Sequence, residues 1–439
     1  MTHSFSVACG LSLLLSLCTP FCVATQSQDW NHWRGPSRND LSDSESGFRE
    51  GKWHLTESWT ANQGIGSSSP VIFQNQMLTF SWVHGKETLT SSPLSNGQEI
   101  TWAHSYKAPK YGRLATGDQG LFAGPSSTPE VDPTNNKAYT LGSDGHLTCW
   151  DLTKQGEIDW QISLYDEYEI PRRPKVGRSG LRDYGFTTSP LLLNNQLIVE
   201  VGSKRASIVA FDPKTGKELW ESVSASPAGH TGGPVPIIVD KVPCVAAMTH
   251  EGLLVVRTDG KQAGQTVAKV DWLTEWANNI ATPTVFQNKV VITSAYNQNR
   301  IAMYEITLKG AQLVWKVAHP SKICSPVIFN GHVYYCWRKI RCLDLKSGDL
   351  IWQGGNTGDA GSMVVTADKR IIVWSKKGDL SLINGAELSP DRLRILASRK
   401  VLTKTDAWPH VVVAANRIIC KDWLGNMKCF EITPIDKSF

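Results

Sequence analysis

A short module that recurs along the chain is the strongest constraint on its fold. Most copies open with small residues and a proline ahead of an apolar strand, as at Ser189-Pro190, and most close with a strand ending on tryptophan, as at Trp220. Tight turns such as 212–216 lie in between, where Asp, Pro and Gly supply a side-chain cap, a preset φ and access to positive φ. A strand-rich unit repeated at this length predicts a repeat architecture.

The repeat spacing predicts the number of units. Openings lie roughly 37 to 61 residues apart, which suits a four-stranded blade with variable loops. Closing tryptophans are Trp102, Trp160, Trp220, Trp315 and Trp352. The openings are Ser68-Ser69-Pro70, Ser127-Thr128-Pro129, Thr188-Ser189-Pro190, Gly232-Gly233-Pro234, Ala281-Thr282-Pro283 and Cys324-Ser325-Pro326, with degenerate copies near Gly361-Ser362 and Pro409-His410.

The last copy holds only three strands, and an N-terminal segment ending near Trp59 resembles the missing closing strand. We therefore predict an all-β fold: an eight-bladed β-propeller of four-stranded antiparallel blades, its last blade closed by the N-terminal strand. Such closure removes the open edges that invite aggregation. Small residues suit the crowded inner strands, and the tryptophans suit packing of blade against blade.

The rest of the chain is divided by composition. Residues 1–24 are predicted to be a secretory signal, because they have an apolar core over 7–17 and small residues before Thr25. No Lys or Arg precedes the core, and an uncleaved N-terminal anchor is the alternative. Residues 25–51 form a lead-in, 52–433 the single propeller domain and 434–439 a tail. We expect export to the periplasm or the medium, with no membrane span after signal removal.

Charge and cysteine content narrow the partners. The 439 residues carry a formal net charge of +5 with both signs interspersed, which argues against a nucleic-acid partner. Removal of the signal leaves seven cysteines, of which Cys149, Cys342 and Cys429 share one repeat position with Ala210, the mark of a small buried residue. The pairs Cys336/Cys342 and Cys420/Cys429 flank hairpin turns and could face each other as disulfides. No spacing suggests a zinc site.

Three segments carry a family resemblance: SSSPVIFQNQM, TTSPLLLNNQLIVEVGSKRASIVAFDPKTGKELW and CSPVIFNGHVYYCWRKIRCLDLKSGDLIW. They resemble repeats of the pyrroloquinoline-quinone (PQQ)-like β-propeller family. The opening DWNHWRGPSRNDLS is similar to the lead-in of exported members, a group that includes propellers similar to the assembly lipoprotein BamB. The resemblance covers roughly residues 29–433 and implies the fold, whereas the family's functions range from dehydrogenases to scaffolds.

Resemblance to the quinoprotein dehydrogenases of this family would imply a vicinal Cys-Cys pair near the cofactor, a calcium site and a catalytic Asp. The chain has no Cys-Cys dipeptide and no Asp-rich calcium loop of EF-hand type. It also lacks GxSxG, HExxH and P-loop motifs. We therefore predict no cofactor and no catalytic or metal-binding residue, with PQQ and calcium as the alternative.

Two long inter-blade links, 104–123 and 161–186, follow consecutive blades and should lie side by side over one end of the channel. Loops of this length on a rigid scaffold are typical binding sites, although a solvated loop pair is the alternative. Tyrosines with mixed charges suit a protein, peptide or sugar partner. The candidate binding residues in these links are Tyr106, Tyr111, Arg113, Tyr168, Arg172, Arg173, Arg182 and Tyr184.

Residues just before each inner strand should ring the same end of the channel. Taken singly, each of these residues is compatible with a structural or a hydrated position. The set is selected by its place in the propeller and not by residue type. The candidates are His230, Asn279, Lys322, Asp359, Trp408 and His410. The leading hypothesis is an exported, non-enzymatic scaffold that binds a protein, peptide or small ligand on this face. A quinone-dependent oxidoreductase and a carbohydrate-binding or carbohydrate-active propeller are the alternatives.

Overall fold

The computed structural model describes Met1 and residues 29–108, 124–170, 185–230, 232–275 and 278–433. Within them, eight four-stranded antiparallel sheets follow one another along the chain, and the inner strands of neighbouring sheets contact each other around an axis. The protein is thus an eight-bladed β-propeller, and the fold predicted from the repeats is confirmed.

Each of blades 1 to 4 runs from an inner strand to an outer strand in chain order. Their strands are Val71–Phe73, Gln76–Val83, Lys86–Pro93 and Trp102–Lys107; Glu130–Asp132, Lys137–Leu141, His146–Asp151 and Glu157–Ser163; Leu191–Leu193, Gln196–Glu200, Ile208–Phe211 and Glu218–Glu221; and Val235–Val239, Val242–Met248, Gly252–Arg257 and Thr266–Asp271.

Blades 5 to 7 repeat this order, and blade 8 takes its outer strand from the start of the chain. The strands are Thr284–Phe286, Lys289–Ser294, Arg300–Thr307 and Gly310–Val317; Val327–Phe329, His332–Trp337, Lys339–Asp344 and Leu350–Gly354; Gly361–Val365, Arg370–Ser375, Asp379–Asn384 and Ile395–Lys400; and Val412–Ala414, Arg417–Lys421, Asn426–Ile432 and Leu55–Asn62.

The described residues hold little other regular structure. A two-stranded sheet pairs Phe48–Arg49 with Lys52–Trp53, a four-residue α-helix spans Leu164–Glu167, and 3-10 turns span Leu152–Lys154 and Gly260–Gln262. Among the described residues, no helix has the length and apolar character needed to cross a membrane.

The ring closes where the sequence predicted. The strand Leu55–Asn62 pairs antiparallel with Asn426–Ile432, and Trp59 lies opposite Cys429. Residues more than 360 positions apart are thereby hydrogen-bonded in one sheet, so blade 8 has a complete set of four strands.

Outer-strand tryptophans join several blades to the next. The Trp315 indole donates to the Leu345 carbonyl at 2.9 Å, and its ring covers Gly348, where a Cβ would stand only 2.7 Å from the ring. Trp59 repeats the arrangement against the Leu94 carbonyl and Gly97. The glycine of the turn therefore serves the packing of the preceding blade's tryptophan as well as the turn itself.

The seven described cysteines are buried free thiols. The repeat position that Cys149, Cys342 and Cys429 share with Ala210 is a small buried site, in agreement with the sequence. The expected facing of Cys336 with Cys342 is wrong, because the ladder places Cys336 opposite Ile340 and Cys342 opposite Tyr334. Cys420 and Cys429 do not face each other either, since their ladder partners are Lys428 and Ile419.

The small residues that open each blade form a hydrogen-bond ring around the axis. A backbone N–H of one blade donates to a hydroxyl or carbonyl oxygen of its neighbour at seven junctions. Hydroxyls, and not only small size, are therefore what the Ser/Thr-Pro motif contributes. The donor–acceptor pairs are His410–Ser69 (2.7 Å), Ser69–Thr128 (3.2 Å), Thr128–Ser189 (2.9 Å), Ser189–Gly232 (2.8 Å), Gly232–Thr282 (3.1 Å), Thr282–Ser325 (3.0 Å) and Val411–Ser362 (3.0 Å).

Candidate functional site

The lead-in residues 29–46 occupy the central channel. Trp30 bridges to Ile72 on the inner strand of blade 1, and Leu41 bridges to Val365 at the end of the blade 7 inner strand. Ser46 binds Asp368 in the next turn. The segment thus enters at the end of the channel opposite the hydrogen-bond ring, turns, and leaves by the same end. We call it the plug, and we call the ring end of the channel the mouth.

Arg34 fixes the plug to the blades. Its side chain is fully buried, with Nε 2.5 Å from Asp40 Oδ2, Nη1 3.0 Å from Thr284 Oγ1 and Nη2 2.6 Å from the Pro326 carbonyl. Asp40 is equally buried, and its other oxygen lies 3.1 Å from His410 Nε2. The guanidinium donors are therefore satisfied inside the protein, which is the condition for burying a charge without a large penalty.

A second buried charge holds the other arm of the plug. Glu130, on the blade 2 inner strand, is paired with Arg38, lies 3.0 Å from His32 Nδ1 and accepts the Leu192 N–H at 2.8 Å. Burial alone would raise the pKa of Glu130, but the interactions with Arg38 and His32 outweigh it and hold the pKa below its usual value. The carboxylate is therefore ionised and anchors the plug across blades 2 and 3.

Above the plug, the mouth holds a cavity of about 300 Å³. Trp33 of the plug lines it, donating its indole N–H to Thr282 Oγ1 at 3.2 Å and meeting the His410 ring edge-on at 5.3 Å. Gly232 gives room for this ring, because a Cβ there would stand 2.3 Å from it. The plug thus closes the cavity toward the channel, and the cavity is a blind pocket at the mouth.

An ion pair lies at the cavity wall. Lys322 Nζ is 2.8 Å from Asp359 Oδ2, and the Trp337 indole donates to Asp359 Oδ1 at 3.1 Å. Lys322 also lies over the Tyr296 ring at 5.7 Å. Burial would raise the pKa of Asp359, but Lys322 outweighs it and lowers the pKa. The pair therefore presents one fixed cation and one fixed anion to an occupant.

The structure brings most of the predicted mouth residues together. The cavity is lined by His230, Lys322, Asp359, Trp408 and His410. Asn279 is not at the cavity surface: it is fully buried, and its amide donates to the carbonyls of Thr249 at 2.9 Å and Trp272 at 3.1 Å. Its neighbour Asn278 lines the cavity instead.

Two predicted loop tyrosines pack between blades. The Tyr106 hydroxyl donates to Glu87 at 2.8 Å, and its ring stacks on Trp150 of blade 2. Tyr168 is 4% exposed and donates to Glu218 of blade 3 at 2.8 Å. Both hydroxyls are engaged within the protein. The other predicted loop residues, Tyr111, Arg113, Arg172, Arg173, Arg182 and Tyr184, lie outside the described residues.

Sequence reasoning missed the plug. Residues 29–46 were assigned only as a lead-in, yet they supply Trp33 to the cavity and Arg34, Arg38 and Asp40 to buried ion pairs. The available signal was the density of aromatic and charged residues in Asp29–Asp40, which belongs to no blade. Such residues outside the repeats need partners, and the inner strands that line the channel supply them.

The described lining of the cavity does not fit a calcium-held quinone of the dehydrogenase type. Its described lining offers two carboxylates, Asp359 and Asp406, and the first is already paired with Lys322. In the described part of the chain, no group of three or more His, Cys, Asp or Glu could hold a metal ion. Calcium takes six to eight oxygen ligands, several of them carboxylate, so this donor set does not fit such a group.

A closed ring of eight PQQ-like repeat blades, with a plugged channel and a polar, aromatic mouth, defines the protein as a PQQ-like β-propeller. It belongs to the family described as outer membrane protein assembly factor BamB, whose sequence profile matches residues 95–354. A search of curated protein sequences finds no match.

Solved structures share the fold. BamB from Moraxella catarrhalis is 13% identical with a TM-score of 0.58, over 86% of this chain and 100% of that chain. Quinohemoprotein alcohol dehydrogenase from Comamonas testosteroni is 11% identical with a TM-score of 0.60, over 93% and 81%. The computationally designed Ika8 protein is 10% identical with a TM-score of 0.58, over 85% and 99%. An assembly factor, an enzyme and a designed protein are all similar in structure to this chain. The similarity therefore shows the fold and does not indicate an activity.

Proposed function

We propose that the protein is an exported, non-catalytic propeller that binds a partner polypeptide on its mouth face, with the mouth cavity as the anchoring pocket. The observation that carries this proposal is the blind cavity itself: the plug closes it with Trp33, and Trp408 and the Lys322–Asp359 pair lie around it. Aromatic surface combined with a few fixed polar groups is the usual composition of a recognition site.

The size of the cavity favours an anchoring residue over a whole ligand. About 300 Å³ is the lower limit of typical small-molecule pockets, so it accommodates one or two side chains of a partner whose remaining contacts lie on the surrounding loops. Membership of a family named for an assembly factor supports a polypeptide as the occupant. The signal sequence predicted over residues 1–24 supports export.

Site-specific photo-crosslinking in cells tests the proposal. A benzophenone amino acid is placed at Trp408 or Tyr296 at the mouth, and at exposed Lys309 or Lys346 in turns at the opposite end. We expect a discrete adduct from the mouth positions and none from the opposite end, with the partner identified by mass spectrometry. Adducts confined to the opposite end would refute the placement of the site.

Purified components then test the pocket directly. The identified partner should bind the wild-type protein, lose at least tenfold in affinity to Trp408→Ala and Lys322→Ala, and keep its affinity for Lys346→Ala. Unchanged affinity in both mouth variants, with circular dichroism showing intact folding, would remove the cavity from the interface.

The alternatives give distinct outcomes. Incubation with PQQ and Ca²⁺ followed by gel filtration should leave no quinone absorbance on the protein and no dye reduction with alcohols; a retained stoichiometric quinone would overturn the non-catalytic assignment. Because Trp33 and Trp408 could stack on a sugar ring, a glycan array is the matching test. Glycan binding that Trp408→Ala abolishes would replace the polypeptide by a carbohydrate.

A further inference from the structure

Four exposed cations lie at the mouth on the side of blades 6 to 8. Because every inner strand begins at the mouth, the turn between the second and third strands of each blade lies there too. Arg338 occupies this turn in blade 6, with Lys339 directly after it, and Lys377 lies in the same turn of blade 7. Lys404 lies in the link from blade 7 to blade 8. We call these four residues the basic arc.

The neighbouring carboxylates are engaged by other cations. Asp379 lies 2.7 Å from Lys400 Nζ and 3.1 Å from Lys376 Nζ, and Asp359 is paired with Lys322. Burial would raise the pKa of Asp379, but the hydrogen bonds and charges of the two lysines outweigh it and lower the pKa. Both carboxylates are therefore ionised and are neutralised by cations outside the basic arc.

The basic arc consequently carries excess positive charge. Lys339, Lys377 and Lys404 have no ion-pair partner among the described residues, and the side chain of Arg338 is 71% exposed. Asp406, in the same link as Lys404, is half-buried at the cavity. One carboxylate balances at most one of the four cations, so most of the charge of the arc is left for an external partner.

The mouth side of blades 3 and 4 differs in this respect. Arg205, in the mouth turn of blade 3, is paired with Glu221 at the end of the same blade's outer strand. Lys269 of the blade 4 outer strand is 2.8 Å from Glu251 in that blade's mouth turn. These cations are neutralised within their own blades, so the excess charge at blades 6 to 8 is a local feature of the mouth.

The basic arc adjoins the cavity directly. Arg338 lies over the Trp337 ring, with its guanidinium carbon 4.7 Å from the ring centroid, and its Nε is 3.9 Å from Asp359 Oδ1. The Trp337 indole donates to the same carboxylate, which lines the cavity. Stacking of this kind orients the guanidinium and leaves its edge available for a bidentate contact with a carboxylate.

We propose that the polypeptide bound at the mouth is acidic, with a run of Asp and Glu residues lying on the basic arc beside the side chain that enters the cavity. The inference rests on the proposed function and adds the chemistry of the partner. Complementary charge around an anchoring pocket increases the association rate and excludes partners of the wrong charge. The cavity supplies the anchor, and the basic arc selects the sequence next to it.

Fluorescence anisotropy with labelled oligopeptides tests the proposal on the purified full chain. Oligo-glutamate, oligo-glutamine and oligo-lysine of equal length are compared at low and high NaCl. We expect saturable binding of oligo-glutamate alone, and weaker binding as NaCl rises, because salt screens exposed charges. Absence of oligo-glutamate binding at low salt, or equal binding of oligo-glutamine, would overturn the proposal.

Two charge-reversal variants locate the binding. Both replace three exposed lysines by glutamate and therefore change the net charge equally, one in the basic arc and one in turns at the opposite end. The arc variant should bind oligo-glutamate at least about tenfold more weakly than the wild type, and the control variant less than about twofold more weakly. Equal losses would mean that binding follows net charge and would refute the arc. The variants are Lys339→Glu/Lys377→Glu/Lys404→Glu and, as control, Lys214→Glu/Lys309→Glu/Lys346→Glu.

Photo-crosslinking from Tyr296 in both variants separates this inference from the proposed function. We expect the arc variant to lose the adduct and the control variant to keep it. An adduct that persists in both would leave the polypeptide site at the mouth in place and refute the acidic partner. If the wild type gives no adduct, the proposed function fails, and the anisotropy measurements still decide the arc. Binding of dextran sulfate to the arc without binding of oligo-glutamate would overturn the polypeptide in favour of an anionic polysaccharide.

Discussion

Replacing Arg34 by methionine should be among the most damaging single changes in the protein. Methionine keeps the apolar stem and removes the guanidinium, which lies 2.5 Å from Asp40, 3.0 Å from Thr284 and 2.6 Å from the Pro326 carbonyl. Asp40 has no exposed surface, so its carboxylate stays buried with the His410 ring nitrogen at 3.1 Å as its remaining ion-pair neighbour in the described structure. Breaking a buried pair in this way costs about 3–5 kcal/mol.

Urea unfolding followed by tryptophan fluorescence measures the loss, since several of the 17 tryptophans are buried between blades. Exposed Arg392 is the control, and Arg392→Met should change the free energy of unfolding by less than about 0.5 kcal/mol. Adding Asp40→Asn to Arg34→Met removes the orphaned charge. The double variant should therefore lose less than the sum of the single losses, by about 1–3 kcal/mol.

The reasoning fails on either of two results. A loss of less than about 1 kcal/mol for Arg34→Met would mean that the plug is not held in the channel by this pair. Strict additivity of Arg34→Met and Asp40→Asn would mean that the two side chains do not interact.

Two further predictions concern blade packing and ring closure. Gly348→Ala should destabilise the protein by about 1–3 kcal/mol more than Gly331→Ala. Both glycines have φ +78, but only at Gly348 would a Cβ press into Trp315. Equal urea midpoints for the two variants would contradict the packing role of the glycine. Burial of Lys421, whose Nζ donates to the carbonyls of Gly66 and Ser68, lowers its pKa to about 7 from an ordinary 10.5. The unfolded chain thus binds the extra proton between these values, so stability should rise from pH 7 to pH 9 by about 2 kcal/mol more than in Lys421→Met, and parallel pH profiles for the two proteins would refute the shift.

The fold could be predicted from the sequence because every blade repeats the same physical solution. Pro and small residues open most copies, and a closing tryptophan recurs in six of the eight blades. Even the pairing of Trp59 with the last copy follows from the missing fourth strand. Because the pattern recurs, the blade assignment does not depend on the strand prediction for any single copy.

The site was only partly predictable. Topology alone placed His230, Lys322, Asp359, Trp408 and His410 at the mouth, and all five line one cavity. The plug lies outside the periodic pattern, and its contacts join residues from about 40 to about 370 positions apart. The spacing of residues within a repeat does not indicate such pairings. The position of Trp33 at the cavity was therefore not predicted from the sequence. The disulfide expectation failed for a related reason, since hairpin register, and not distance from a turn, decides which side chains face each other.

The dependence of blade 8 on both ends of the chain has a consequence for biosynthesis. A polypeptide is made from its N-terminus, so residues 29–62 are synthesised well before their partners in the last blade. A truncated product that stops before His410 leaves the strand containing Trp59 without its neighbour and the carboxylate of Asp40 without His410. Such a product keeps an open sheet edge on which proteases can act, so completion of the ring discriminates full-length molecules from prematurely terminated ones.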